Sequence, residues 1–319
     1  MRKGAIGSGR TLLAVIACML LAGGGLVLTN PGRVSIDRRP DRVEFDTDVK
    51  VPPVTSAVAL GDDLYLIAGG GGNTGLFLTG HGAVLVDPKY AVSWPALEAE
   101  IRAITALPIT HVILTHFHND HTESVALLPP SVKVVAHEHA IEELVFNRYV
   151  PDDAVATGRA VPYRDRMTLF DGDDRISLYW PGPLHTAGDT IVSFDRARVL
   201  QVGDVFPGKV FPVISVEGGG DGTRYPEGVQ GILDAFPDAT RLITGHGAVM
   251  SRDDLAEFGD FMAVTSGYVR REMGMFRDKH AIFKALVLPA RFAAYDRRRQ
   301  FDTLDEIDRS YRPRWQRVF

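Results

Sequence analysis

Three histidines and an aspartate fall within six positions of the segment Thr115-His116-Phe117-His118-Asn119-Asp120-His121. Imidazole nitrogens and carboxylates at that density suit a divalent cation, because without one several polar groups would meet without partners. In an extended segment, residues two apart face the same way, so His116 and His118 can grip one metal. If the chain then turns into a helix, Asp120 and His121 point about 100° apart and can turn toward a second metal beside the first. Three more candidates stand at strand ends or in Gly/Pro-rich turns. They are His185 in Pro181-Gly182-Pro183-Leu184-His185, Asp204 after Val199-Leu200-Gln201-Val202-Gly203, and His246 between Gly245 and Gly247. Glycine beside a ligand lets backbone come close to a metal. The other histidines read as surface or capping residues: His81 in a hairpin turn, His111 at a strand start, His137 and His139 opening a helix, and His280 in the tail. His139 is the one to watch.

Rigid elements must bring these residues together. Leu64–Ala68, Leu76–Thr79 and Ala83–Val86 are short apolar runs with Gly turns between them, the pattern of antiparallel strands. Ala96–Leu107 shows the helical period, with Trp94-Pro95 before it and Pro108 after it. His111–Thr115 and Val132–Ala136 read as strands and His137–Arg148 as a helix. A second batch follows: strands Ile176–Trp180, Ile191–Phe194 and Val199–Val202, a helix Glu227–Phe236, and a strand Arg241–Thr244. Strands and helices alternating in two similar batches predict an α/β or α+β layered fold with two sheets. A GxGxxG match at Gly70, Gly72 and Gly75 is followed by a strand pattern rather than a helix, so it fails as a dinucleotide fingerprint and reads as a hairpin loop.

The segment THFHNDH matches the T-H-x-H-x-D-H signature of the metallo-β-lactamase superfamily, and His185, Asp204 and His246 fall in the order of that family's remaining ligands. The chain resembles this superfamily over roughly residues 64–252. The resemblance implies a four-layer αβ/βα sandwich of two mixed β-sheets flanked by helices. It also implies two Zn²⁺ per chain: His116, His118 and His185 at the first, Asp120, His121 and His246 at the second, and Asp204 bridging both. The implied activity is hydrolytic, a hydroxide shared by the metals attacking an ester, thioester, lactone or lactam carbonyl, with Asp120 orienting the nucleophile. Where β-lactamases usually carry Cys or Ser, Asp204 is more similar to the glyoxalase II-like hydrolases. An iron-dependent oxidoreductase, similar to the superfamily's sulfur dioxygenases, is the alternative. Thr115, Thr186, Asp189 and Asp87 are candidates to accept the ligands' second imidazole N–H groups. Asn73 and Lys209 are candidates to touch substrate, and residues 147–166 and 206–225 are candidate pocket walls.

Composition narrows the rest. The 319 residues carry 35 basic and 40 acidic side chains for a net charge of −5, which offers nucleic acid no neutralising face. One cysteine excludes an intramolecular disulfide and any Cys-rich zinc site. No G-x-S-x-G elbow is present, so serine nucleophilic catalysis is disfavoured. Arg2, Lys3 and Arg10 precede the apolar run Leu12–Leu28, as in an export signal or a membrane anchor. The expected organisation is a leader or anchor over 1–29, a linker over 30–53, the hydrolase domain over 54–255 and a helical extension over 256–319. The expected setting is the periplasm or the extracellular side, with a small acyl substrate as partner and the membrane touched only through an uncleaved leader.

Overall fold

A computed structural model describes residues 26–28, 34–36, 43, 45, 49–273 and 278–312. The predicted leader, with Cys18, lies outside the described residues up to position 25. Leu26–Leu28 (β1) and Val34–Ile36 (β2) pair antiparallel within a unit of their own that ends at Arg42. No helix among the described residues is long and apolar enough to cross a membrane.

From Val43 on, the chain builds two sheets. Val58–Gly61 (β3), Leu64–Ile67 (β4), Thr74–Thr79 (β5) and Gly82–Val86 (β6) form an antiparallel meander. Ile109–Ile113 (β7), Lys133–His137 (β8) and Ala160–Tyr163 (β9) extend it in parallel to seven strands. The second sheet runs Arg166–Leu169 (β10), Ile176–Tyr179 (β11), Ile191–Phe194 (β12), Val199–Gly203 (β13), Arg241–Thr244 (β14) and Met250–Ser251 (β15), in that order. Only the β13–β14 pair in it is parallel. Both sheets are therefore mixed.

The two-residue period decides which layer each side chain enters. Val84, Val86, Ile113 and Val135 point inward against Ile176, Val192, Phe194 and Ile243 of the second sheet. Their neighbours Ala83, Leu85, Val112 and Val134 point outward, under Trp94–Ile104 (α1) and Glu138–Phe146 (α3). Between those two helices in the chain lies the single turn Asn119–Thr122 (α2). On the far side of the second sheet, Tyr225–Ala235 (α4) and Arg252–Met273 (α5) bury Tyr225, Val229, Ile232, Phe258, Phe261 and Met262. Lys279–Lys284 (α6) and Gln300–Ser310 (α7) complete that layer with Ile282 and Ile307. Strands buried on both faces carry continuous apolar sequence rather than alternation, which is why these runs stand out. The result is the four-layer sandwich expected from the sequence. Helix α5 runs without a break through the predicted boundary at 255 and 256.

The four edge strands of the two sheets, β3, β9, β10 and β15, lie outside the expected elements, and Pro162 sits in β9. The predicted pocket wall 147–166 thus ends in sheet.

Helix α7 also anchors the 206–225 segment. Glu306 Oε2 accepts the Ile214 N–H at 2.9 Å, and burial, which outweighs this bond and the nearby Arg299, pushes its carboxyl up to about 7. The fold therefore favours protonated Glu306. The stability this contributes is complete below about pH 4.5 and is lost as pH rises through about 7. Glu306→Gln keeps an acceptor for Ile214 and removes the charge. Its melting temperature should equal the wild type's near pH 4.5 and exceed it at pH 8, measured by thermal unfolding across that range.

Candidate metal centre

The motif occupies the turn after β7, where the backbone leaves the sheet and enters α2. His118 is the extended residue that caps α2. This break in geometry splits the motif into an extended part through His118 and a helical part from Asn119.

Three ring nitrogens converge first. His118 Nδ1 lies 3.1 Å from His116 Nε2 and 3.0 Å from His185 Nε2. Asp204 Oδ2 faces this set, 3.7 Å from His185 Nε2 and 4.0 Å from His116 Nε2. Four atoms form a second set: Asp120 Oδ2 is 3.1 Å from His246 Nε2 and 3.4 Å from His121 Nε2. Asp204 Oδ1 completes it at 3.4 Å from His246 Nε2 and 3.5 Å from His121 Nε2. One oxygen of Asp204 thus belongs to each set, and the rings of His116 and His121 are 4.3 Å apart. Side-chain exposure grades from about 1% at His116 and His185 to 45% at His246, so the second set opens toward solvent.

Three of the five rings are turned by a partner that can only accept, or that has already given its proton elsewhere. His185 Nδ1 donates to the Val213 carbonyl at 2.8 Å. His121 Nδ1 donates to Asp87 Oδ2 at 2.8 Å. Thr115 Oγ1 gives its proton to the same Asp87 oxygen at 2.6 Å and takes one from His116 Nδ1 at 3.1 Å. With Nδ1 donating, each of these three rings can offer its Nε2 lone pair to a cation in the sets. Asp189 accepts the amides of Leu184, His185 and Thr186 and the Thr186 hydroxyl, which fixes the turn that carries His185.

The protonation states suit a cation. Burial and the neighbouring imidazoles hold His116 well below the usual histidine range, and burial takes His118 down to about 4. Burial would raise the carboxyls of Asp120 and Asp204, but the charge of His121 outweighs it and keeps both ionised. His121 Nε2 and Asp204 Oδ1 are buried without a hydrogen-bond partner. In the second set burial would lower both rings, but the carboxylates hold His121 well above the usual histidine range and His246 up to about 9, so a cation there would displace those protons. Neutral imidazoles in the first set, ionised carboxylates and orphaned buried atoms at the meeting point fit a pair of Zn²⁺-type cations.

The profile of the metallo-beta-lactamase superfamily matches residues 67–246. The chain belongs to the metallo-β-lactamase superfamily. Within that superfamily it is similar in fold to the DIM-1 metallo-beta-lactamase, with 19% identity and a TM-score of 0.55 over 67% of this chain and 99% of that one. It is also similar in fold to the stereoselective inverting sec-alkylsulfatase Pisa1 from Pseudomonas sp. That match has 15% identity and a TM-score of 0.67, over 80% of this chain and 50% of that one. In sequence it is 31% identical over 109 residues to 2,4-dinitroanisole O-demethylase subunit alpha from Nocardioides sp. (strain JS1661). That match spans 34% of this chain and 32% of the relative's length. Superfamily membership and the His/Asp set together fit a metal-dependent hydrolase.

The two expected substrate contacts, Asn73 and Lys209, have partners within the protein. Asn73 is 2% exposed, and its amide donates to the carbonyls of Thr244 at 3.0 Å and Gly247 at 3.1 Å. It stitches the His246 turn to the first sheet and has no proton left for a ligand. Lys209 Nζ sits 3.1 Å from both Asp254 and Glu257, so its charge is matched by α5 rather than offered to a substrate carboxylate. Gly70 and Gly72 form the loop before β5, as the failed fingerprint required. His81, His111, His137, His139 and His280 lie outside the metal-competent groups found among the described residues. His137 does cap α3, but it is buried and stacked on Trp180 rather than at the surface.

Close approach sets a further test. A Cβ on Gly245 would overlap Asp204 Oδ1. Gly245→Ala should displace the shared carboxylate and weaken metal retention at both sets by about 10- to 100-fold, read as metal content after dialysis against a graded chelator.

Proposed function

We propose that this protein is a zinc-dependent hydrolase of a small substrate with an ester, thioester, lactone or lactam carbonyl. The observation that carries the reading is the Asp204 carboxylate, with one oxygen in each set of imidazoles. Two zinc ions there would supply Lewis acidity and a water acidic enough to ionise near pH 7. The chain's own residues do the rest. His116, His118 and His185 hold the closed set. Asp120, ionised and partly open to solvent, accepts a hydrogen bond from the attacking water and orients it. His246, the most exposed ligand, marks the side from which substrate enters. Asp87, Thr115 and the Val213 carbonyl keep the rings from turning, and Asp189 fixes the turn that carries His185.

The named activity of the demethylase relative supports a second reading, in which the same water cleaves an aryl methyl ether. An iron-dependent oxidoreductase is the outcome to exclude, because a His/Asp set also accepts iron. Purified full chain should contain about two zinc and be colourless. Zinc-loaded protein should turn over at least one member of a panel of β-lactams, lactones, thioesters and aryl methyl ethers. Iron with O₂ uptake and no hydrolysis would reject the proposal. We also propose export to the periplasm or beyond, supported by the basic and apolar leader. Cell fractionation of the full chain should find it there, and a cytosolic pool would reject export.

A further inference from the structure

Lys89 is buried to 0% exposure, two positions after the Asp87 that orients His121. Its backbone is left-handed at φ 72°, a conformation costly for a residue with a Cβ. An ammonium in the interior is costlier still unless its donors are placed. Nζ donates to the carbonyl of Ile67 at 2.9 Å and to that of Gly72 at 2.5 Å. The other end of the Gly72 residue faces the centre: its N–H donates to the Asp120 carbonyl at 2.9 Å. A Cβ on Gly72 would overlap the His121 ring, so that ring rests on Gly72 itself. The Lys89 carbonyl accepts the Ser124 N–H at 3.1 Å, tying the lysine to the turn that follows His121. Burial pushes the ammonium down to about 7, against the pull of Asp87 and Asp120.

We propose that Lys89 is a positioning residue for the second metal: it clamps Gly72, and Gly72 sets Asp120 and His121. This rests on the reading that Asp120, His121 and His246 hold a metal. The direction of the effect separates two roles. A cation near Asp120 repels a metal, so if Lys89 acted through charge its removal would tighten the second site. As a clamp, its removal weakens that site.

Metal-free full chain titrated with Co²⁺, followed by ligand-field absorption and calorimetry, tests this. Wild type should show two events. Lys89→Met should weaken the second by about 10- to 100-fold and leave the first within about twofold. Lys89→Gly, which relieves the left-handed backbone, should do the same and decides the matter if Lys89→Met does not fold. An unchanged or tighter second event overturns the proposal. Failure of both variants to fold assigns Lys89 to global stability and overturns it too. A wild type without a second event rejects the binuclear reading itself, and with it the role of Lys89.

Discussion

Asp120→Ala is expected to lower kcat by about 10²- to 10⁴-fold while the protein stays folded. The side chain is 20% exposed at the rim of the centre, so its loss opens no cavity in either core. Its Oδ2 is the atom that His121 and His246 share. Without it the second set keeps a single carboxylate oxygen, from Asp204, and bound metal should fall from about two per chain to about one. The closed set of His116, His118 and His185 should retain its ion. Metal content, far-UV circular dichroism and kcat on the best panel substrate check the three parts. Turnover near the wild-type level with one metal bound would sink the assignment of Asp120.

Asp87→Ala should be the more damaging change to the fold. Asp87 is fully buried and accepts the Thr115 N–H at 2.8 Å, the Thr115 hydroxyl at 2.6 Å and the His121 ring at 2.8 Å. Burial disfavours a charged His121, but the carboxylates of Asp120, Asp87 and Asp204 outweigh it and push that ring well up. Removing Asp87 leaves buried donors and a buried charge without their acceptor, a loss of about 3–5 kcal/mol. Metal-free protein in urea should show the drop, and His121, free to turn, should bind the second metal more weakly. Asp87→Asn, which keeps one acceptor, should fall between the two. A stability change below about 1 kcal/mol would show that the network is replaceable.

The convergence of the candidate ligands was legible because their signals are local. His116 and His118 differ by two positions along extended chain, and His185, Asp204 and His246 each follow an apolar run bounded by glycine. The two-sheet architecture was legible for the same reason: inner strands buried on both faces write continuous apolar sequence. What a polar side chain finds after folding is not local. Asn73 meets Thr244 and Gly247, and Lys209 meets Asp254 and Glu257, partners 45 residues or more away in sequence. Edge strands β9 and β10 are only four residues each, with Pro162 in one and no fully buried residue in the other, so their sequence resembles loop. Lys89 left no signal, since a lysine after a buried strand ordinarily reaches water.

The seven candidate ligands divide between the two halves of the sandwich. His116, His118, Asp120 and His121 follow a strand of the first sheet, whereas His185, Asp204 and His246 come from the second. Ions bound between them would rivet the halves together, and the sheets could not part without releasing them. By mass action, the supply of free ion then sets how often the seam opens. In an ion-poor compartment the chain would be cut by proteases faster, at sites that the closed sandwich hides.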